Sequence, residues 1–126
     1  MATEILVNDG GAPARILPYT AGATVSGGQF VTMQADGDLE AAGEADLNSL
    51  GVAFVDAAST ENMSVITGRG VIVNAYVSGT VASGALLEVG GTAGDLRAYT
   101  TADAGVAILI DSNPGATPVL RKVQLI

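Results

Sequence analysis

The side chains best equipped for chemistry lie in one short run. Asp36-Gly37-Asp38-Leu39-Glu40 sets three carboxylates at alternate positions. Carboxylates at that spacing open calcium loops of the EF-hand kind, in which oxygen ligands surround a hard cation. Such a loop next requires Gly at its sixth position and Glu at its twelfth. Here those positions hold Ala41 and Leu47, so the run reads as a solvated turn between two strands. Gly68-Arg69-Gly70-Val71 resembles the start of a phosphate-binding loop. No third Gly follows, and the next residues read as strand, so no helix N-terminus would face a phosphate; a tight hairpin is expected instead. Asn62-Met63-Ser64 matches a glycosylation acceptor in form alone.

Nucleophilic and acid–base chemistry have poor raw material. The chain has no Cys and no His, which removes thiol nucleophiles, zinc–thiolate sites and the commonest general base. Ser, Thr, Tyr19, Tyr76, Tyr99 and Lys122 remain without their usual activating partner. The 13 acids could form a glycosidase pair only if two met across a cleft, and no spacing singles out two of them. We therefore expect no enzyme, no catalytic residue, no metal ligand and no cofactor. The formal charge of −8, with Arg15, Arg69, Arg97 and Arg121-Lys122 scattered, argues against a nucleic-acid partner, because phosphate backbones select clustered Lys and Arg. Met1 to Val7 lacks the basic and apolar regions of a secretory signal. The longest apolar run, near Gly105 to Ile110, is too short to cross a bilayer, so no membrane partner is expected.

The elements that would carry these residues are strands. No window sustains apolar residues at helical spacing; the best, Glu40 to Leu50, is interrupted by Gly43 and is a single helical turn or a loop. Strand patterns fall near 4–8, 15–19, 29–34, 38–42, 50–56, 63–67, 70–77, 86–89, 96–100, 105–110 and 118–125. Turn chemistry separates them at Asp36-Gly37, Gly90-Gly91, Gly94-Asp95 and Asn113-Pro114-Gly115. Aromatic residues are few, so Val, Ala, Leu and Ile must fill the core. Phe30 and Phe54 are expected there. The predicted fold class is mainly β, a compact single-domain barrel-like body with little helix.

Much of the sequence is said twice. Thr24-Val25-Ser26-Gly27-Gly28-Gln29-Phe30-Val31 is echoed by Thr80-Val81-Ala82-Ser83-Gly84-Ala85-Leu86-Leu87. Asp38-Leu39 matches Asp95-Leu96, and Gly51-Val52-Ala53 matches Gly105-Val106-Ala107. The predicted halves are 24–56 and 80–111, within a β domain of residues 21–126. Residues 1–20 lie outside the duplication and read as an N-terminal arm or an edge segment. An arm can add a strand to a neighbour; an edge segment would pack on its own domain.

This organisation resembles the head decoration, or cement, proteins of tailed viruses, the lambda-type capsid stabilisers. The residues that carry the resemblance are Ala23 to Val31, Gly37-Asp38-Leu39, Ser49 to Ala53, and Val65-Ile66-Thr67-Gly68 leading into Val71-Ile72-Val73. It implies a β-tulip-like body and a virion structural protein, made in the host cytoplasm and carried on the outer capsid surface. It also implies a homotrimer that bridges major capsid protein subunits, with the arm as the contact. On this chain the capsid-contact candidates are Thr3, Glu4, Ile5, Leu6, Val7, Pro13 and Arg15, and Tyr19 beside the arm is an interface candidate. The alternative is another virion or surface β module, of the tail, fibre or carbohydrate-binding kind. Scarce aromatics and the absence of Trp count against sugar binding.

Overall fold

The computed structural model describes residues 5–8, 15–43, 49–90, 94–100, 105–115 and 118–126. Within these residues eleven strands form in this order: β1 (Leu6–Asn8), β2 (Arg15–Thr20), β3 (Phe30–Met33), β4 (Leu39–Ala41), β5 (Ser49–Ala53), β6 (Asn62–Thr67), β7 (Ile72–Val77), β8 (Leu86–Val89), β9 (Leu96–Ala98), β10 (Ala107–Leu109) and β11 (Val119–Leu125). Each predicted strand is present, and the described residues contain no helix. The window 40–50 is strand at both ends; residues 44–48 lie outside the described set.

The strands make two antiparallel sheets of one topology. The first unit runs β2-β6-β5-β3-β4, and the second runs β7-β11-β10-β8-β9, with β1 added outside β7. Each sheet curls so that its last strand meets the end of its first. Ala21 pairs in parallel with Leu39, and Val77 pairs in parallel with Leu96. The N–H of Gly22 donates to the Leu39 carbonyl at 2.7 Å, and Ser78 N–H to that of Leu96 at 2.9 Å.

Backbone pairing fixes how the copies correspond. Val25 and Ala57 exchange two hydrogen bonds, and so do Val81 and Asn113, a shift of 56 residues. Gly28 N–H donates to the Ala53 carbonyl, as Gly84 N–H does to that of Leu109, at the same shift. The duplication is therefore wider than 24–56 and 80–111: it takes in β2 and β6 against β7 and β11. Arg15–Thr20 is the opening strand of the first unit, not a segment outside the repeat.

The same pairing corrects the match of Gly-Val-Ala. Val31 faces Gly51, and its counterpart Leu87 faces Ala107, so Gly51 corresponds to Ala107 rather than Gly105. Phe54 likewise corresponds to Ile110. A slip of two residues keeps every side chain on its own face, which is why the textual match looked equally good. At Gly51 a Cβ would collide with the Ile66 carbonyl oxygen, whereas the second unit carries Ala at that place.

Gly68-Arg69-Gly70 is not a hairpin, since β6 and β7 belong to different sheets. It is the crossover between the units. Gly68 (φ 137°) and Gly70 (φ 84°) adopt backbone angles that β-carbons disfavour, and these turn the chain from one sheet to the other.

Strands β3, β5 and β6 of the first unit bury side chains on both faces. Val31, Leu39, Ala53, Met63 and Val65 fill its interior. Phe30, Ala42, Val52 and Ile66 face the other way and join the core of the second unit, with Val73, Leu87, Leu109 and Val123. Among the described residues three backbone hydrogen bonds tie the units: Phe30 N–H to the Gly94 carbonyl (3.0 Å), Gly94 N–H to that of Ala42 (2.7 Å), and Tyr76 N–H to that of Gly28 (3.0 Å).

Candidate functional site

The acidic run closes at once into a β-turn. Gly37 N–H donates to the Gln34 carbonyl at 3.0 Å, and Asp36 Oδ1 accepts from Asp38 N–H at 3.0 Å. Leu39 is fully buried and pulls the chain back into β4, so the run ends as a hairpin tip. Among the described residues no three Asp or Glu side chains gather as metal ligands.

The one dense charge network among the described residues was not signalled by sequence spacing. Glu88 and Arg97 face each other across β8 and β9. Glu88 is fully buried and accepts from Arg97 Nε at 2.9 Å and Nη2 at 2.8 Å. It also accepts from Thr100 N–H at 3.0 Å and Thr100 Oγ1 at 2.8 Å. The Thr100 backbone donor, opposed by burial and helped by the Thr100 hydroxyl and Arg97, holds the Glu88 carboxyl below its ordinary value. Asp95, at the turn into β9, is pushed the other way by burial. The first unit has Thr32 and Glu40 at the places of Glu88 and Arg97, so the network belongs to one copy alone.

A cleft of about 330 Å³ opens where the units meet, lined by Phe30, Leu50, Thr67, Arg69 and Val106 among others. Arg69 is the one charged side chain among its lining residues.

The arm candidates occupy diverse positions. Thr3, Glu4 and Pro13 lie outside the described residues. Ile5 is 6% exposed in the core of the second unit, with Leu6 packed beside it. β1, which includes Val7, pairs antiparallel with β7, and Asn74 N–H donates to the Ile5 carbonyl at 2.7 Å. Leu6–Asn8 thus forms an edge strand beside β7 of the same chain. Arg15 is exposed at the start of β2, opposite Thr67. Tyr19 is half-buried and packs against the first unit's interior.

The surfaces that stand out are one edge and one face. β2 is the outer strand of the first unit, with Ile16 43% and Leu17 37% exposed. Its Pro18 corresponds to Asn74, the residue whose N–H holds β1 on β7. On the second unit, a cross-strand row runs from Tyr99 through Leu86 and Ile108 to Gln124. Ile108 faces Leu86 on one side and Gln124 on the other, and Tyr99 N–H donates to the Leu86 carbonyl. Tyr99 is 39% and Ile108 36% exposed, while the alternate residues Leu87, Ala107 and Leu109 are buried. Sequence reasoning missed this row because Leu86 and Ile108 look like core strand residues; Tyr99 next to the polar Thr100-Thr101 was the one available signal.

Compared with known protein families the chain matches none, and no curated protein sequence matches it. Its structure is similar to that of the N base of the head fibre protein gp8.5 of bacteriophage phi29. The TM-score is 0.71 at 12% sequence identity, over 90% of this chain and 95% of that one. A likeness this complete at such low identity means that the two proteins share a fold.

Proposed function

We propose that this chain is a non-enzymatic structural component of a bacteriophage particle, carried on the outside of the capsid. In this reading it assembles as a homotrimer, bridges neighbouring major capsid subunits and stabilises the shell. The observation that carries the proposal is the fold shared with a phage head fibre base along nearly the whole chain. The physical character of the molecule suits the role. Two interlocked β units give a stiff body, and an acidity of −8 sets it against packaged nucleic acid rather than toward it. Repeated weak contacts around a symmetric assembly give firm attachment without any one strong site.

The same neighbour favours a second reading, the base of a fibre rather than a cement. One experiment separates the two. Purified heads lacking this protein are incubated with the chain, sedimented and heated. A capsid cement binds in numbers comparable to the capsid subunits and raises the temperature at which expanded heads release their contents. A fibre base binds at few sites and leaves that temperature unchanged. Failure to co-sediment would remove both.

A further inference from the structure

In the first unit, the row equivalent to Tyr99, Leu86, Ile108 and Gln124 consists of Ala42, Phe30, Val52 and Ile66. All four of those side chains are buried, because the second unit of the same chain covers them. In the second unit the corresponding row is not covered in this way: Tyr99 is 39% and Ile108 36% exposed, and Leu86 is half-buried beside Gly105. The turn beside each row repeats the contrast. A β-carbon on Gly28 would come within 2.5 Å of Leu120 and 3.5 Å of Tyr76 of the second unit, whereas one on Gly84 would meet nothing within 4 Å. The arrangement inside the chain is thus head-to-tail: the row of one unit is covered by the next unit, and the last row is left open.

We infer that the open row Tyr99–Leu86–Ile108 is the docking face for a second copy of this chain, which seats its first unit there. Three observations favour that occupant. The equivalent row is already covered by a unit of this same fold. Next, the charge is uneven: residues 15–70 carry seven acidic and two basic side chains, residues 71–126 four and three. The row of the second unit holds no charged side chain, so an acidic first unit meets little repulsion there. Finally, Asn74 and Tyr76 of β7 approach Gly28 beside the covered row, and the corresponding strand of the first unit is β2, which leaves Ile16 and Leu17 exposed. A head-to-tail contact of this kind closes into a ring or runs on as a filament. A ring agrees with the proposed homotrimer. The inference rests on that self-assembly and not on attachment to a capsid.

The test is sedimentation of the isolated chain, with Ile108→Lys altering the row, Ile16→Lys altering the outer strand β2, and Ser112→Lys as an exposed control of equal charge change. The wild type and Ser112→Lys should sediment as oligomers. Ile108→Lys and Ile16→Lys should each weaken association by at least about tenfold, as burying an unpaired charge in a contact does. Mixed together, these two variants should recover a dimer and nothing larger, because each retains the half that the other lacks. Tyr99→Ser, at an exposed position, repeats the row test without adding charge. Circular dichroism and melting temperature establish that every variant is folded. A monomeric wild type at high concentration, or folded Ile108→Lys and Tyr99→Ser chains that assemble as the wild type does, would overturn the inference. So would row variants that lose binding to phage heads while self-association persists, since the occupant would then be the capsid. Loss of head binding by the wild type, with its oligomer intact, would sink the capsid reading alone.

Discussion

At the scale of single residues, the Glu88 network decides how the second unit responds to acid. The carboxylate is fully buried and takes four donors, so its ionised form is favoured in the folded chain over the unfolded one. A carboxyl whose folded-state pKa lies below its unfolded value stabilises the fold above the unfolded value. That stabilisation disappears as pH falls through the lowered folded-state value. Glu88 should therefore contribute in full above about pH 5 and progressively less in more acidic solution. The variant Glu88→Gln should be less stable at neutral pH by about 2–3 kcal/mol, since Arg97 and Thr100 lose a charged acceptor. Urea unfolding at a series of pH values checks this: the gap between variant and wild type should narrow as pH drops, and a gap constant with pH would contradict it. Asp95 acts with the opposite sign. Burial raises its carboxyl, so ionising it costs stability as pH rises. The variant-to-wild-type difference isolates Glu88 from that opposing contribution.

At the scale of elements, the two outer strands show how one position separates a closed edge from an occupied one. Asn74 faces Lys122 in β11, whose carbonyl is turned toward Ile110, so the Asn74 N–H points away from β11 and toward β1. Pro18 occupies the same place in β2, opposite Ser64, whose carbonyl is turned toward Phe54. Proline has no N–H, and at an outer edge it discourages a further strand from pairing. The first unit is thereby guarded at the very point where the second unit holds β1. Asn74→Pro should copy that guard: the ladder to β11 persists, β1 detaches, and Ile5 leaves the core. A loss of about 2–4 kcal/mol is expected, comparable to truncating a buried Ile. Hydrogen exchange should quicken at Leu6–Asn8 while β11 stays protected; protection retained at Leu6–Asn8 would refute the assignment. The strands themselves were legible in the sequence because β-branched runs and Gly-rich turns are local signals. The duplication was legible where turn residues recur, at Val25 to Val31 and Val81 to Leu87. It was illegible in β2 and β7, because Arg15-Ile16-Leu17-Pro18 and Val71-Ile72-Val73-Asn74 share a role in pairing but few residue types. The open row was hidden for a related reason: Phe30 and Leu86 look alike as text, and only the placement of the units makes one core and the other surface.

At the scale of the whole molecule, the placement of Phe30 makes two units behave as one. It lies in β3 of the first unit, yet its ring belongs to the core of the second, and its N–H donates to the Gly94 carbonyl there. Separated from its partner, the first unit would expose Phe30, Val52 and Ile66 to water, three large apolar side chains worth about 1.5–3 kcal/mol each when buried. That sum is a sizeable part of the 5–15 kcal/mol by which domains of this size are stable. The units should therefore unfold together despite their separate sheets. The tyrosines report on them individually: Tyr19 sits in the first unit, Tyr76 and Tyr99 in the second. Fluorescence of Tyr19 alone, in a chain with the other two replaced by Phe, should follow the same denaturant curve as fluorescence of Tyr76 and Tyr99 with Tyr19 replaced. Phe30→Ala should shift both curves equally, by about 3–5 kcal/mol, although the substitution lies in one unit. Two resolved transitions, or a shift confined to Tyr19, would mean that the units are independent modules joined by the crossover at Gly68–Gly70 and that the shared core contributes little. A common shift would mean that whatever docks on the second unit's row bears on the whole body.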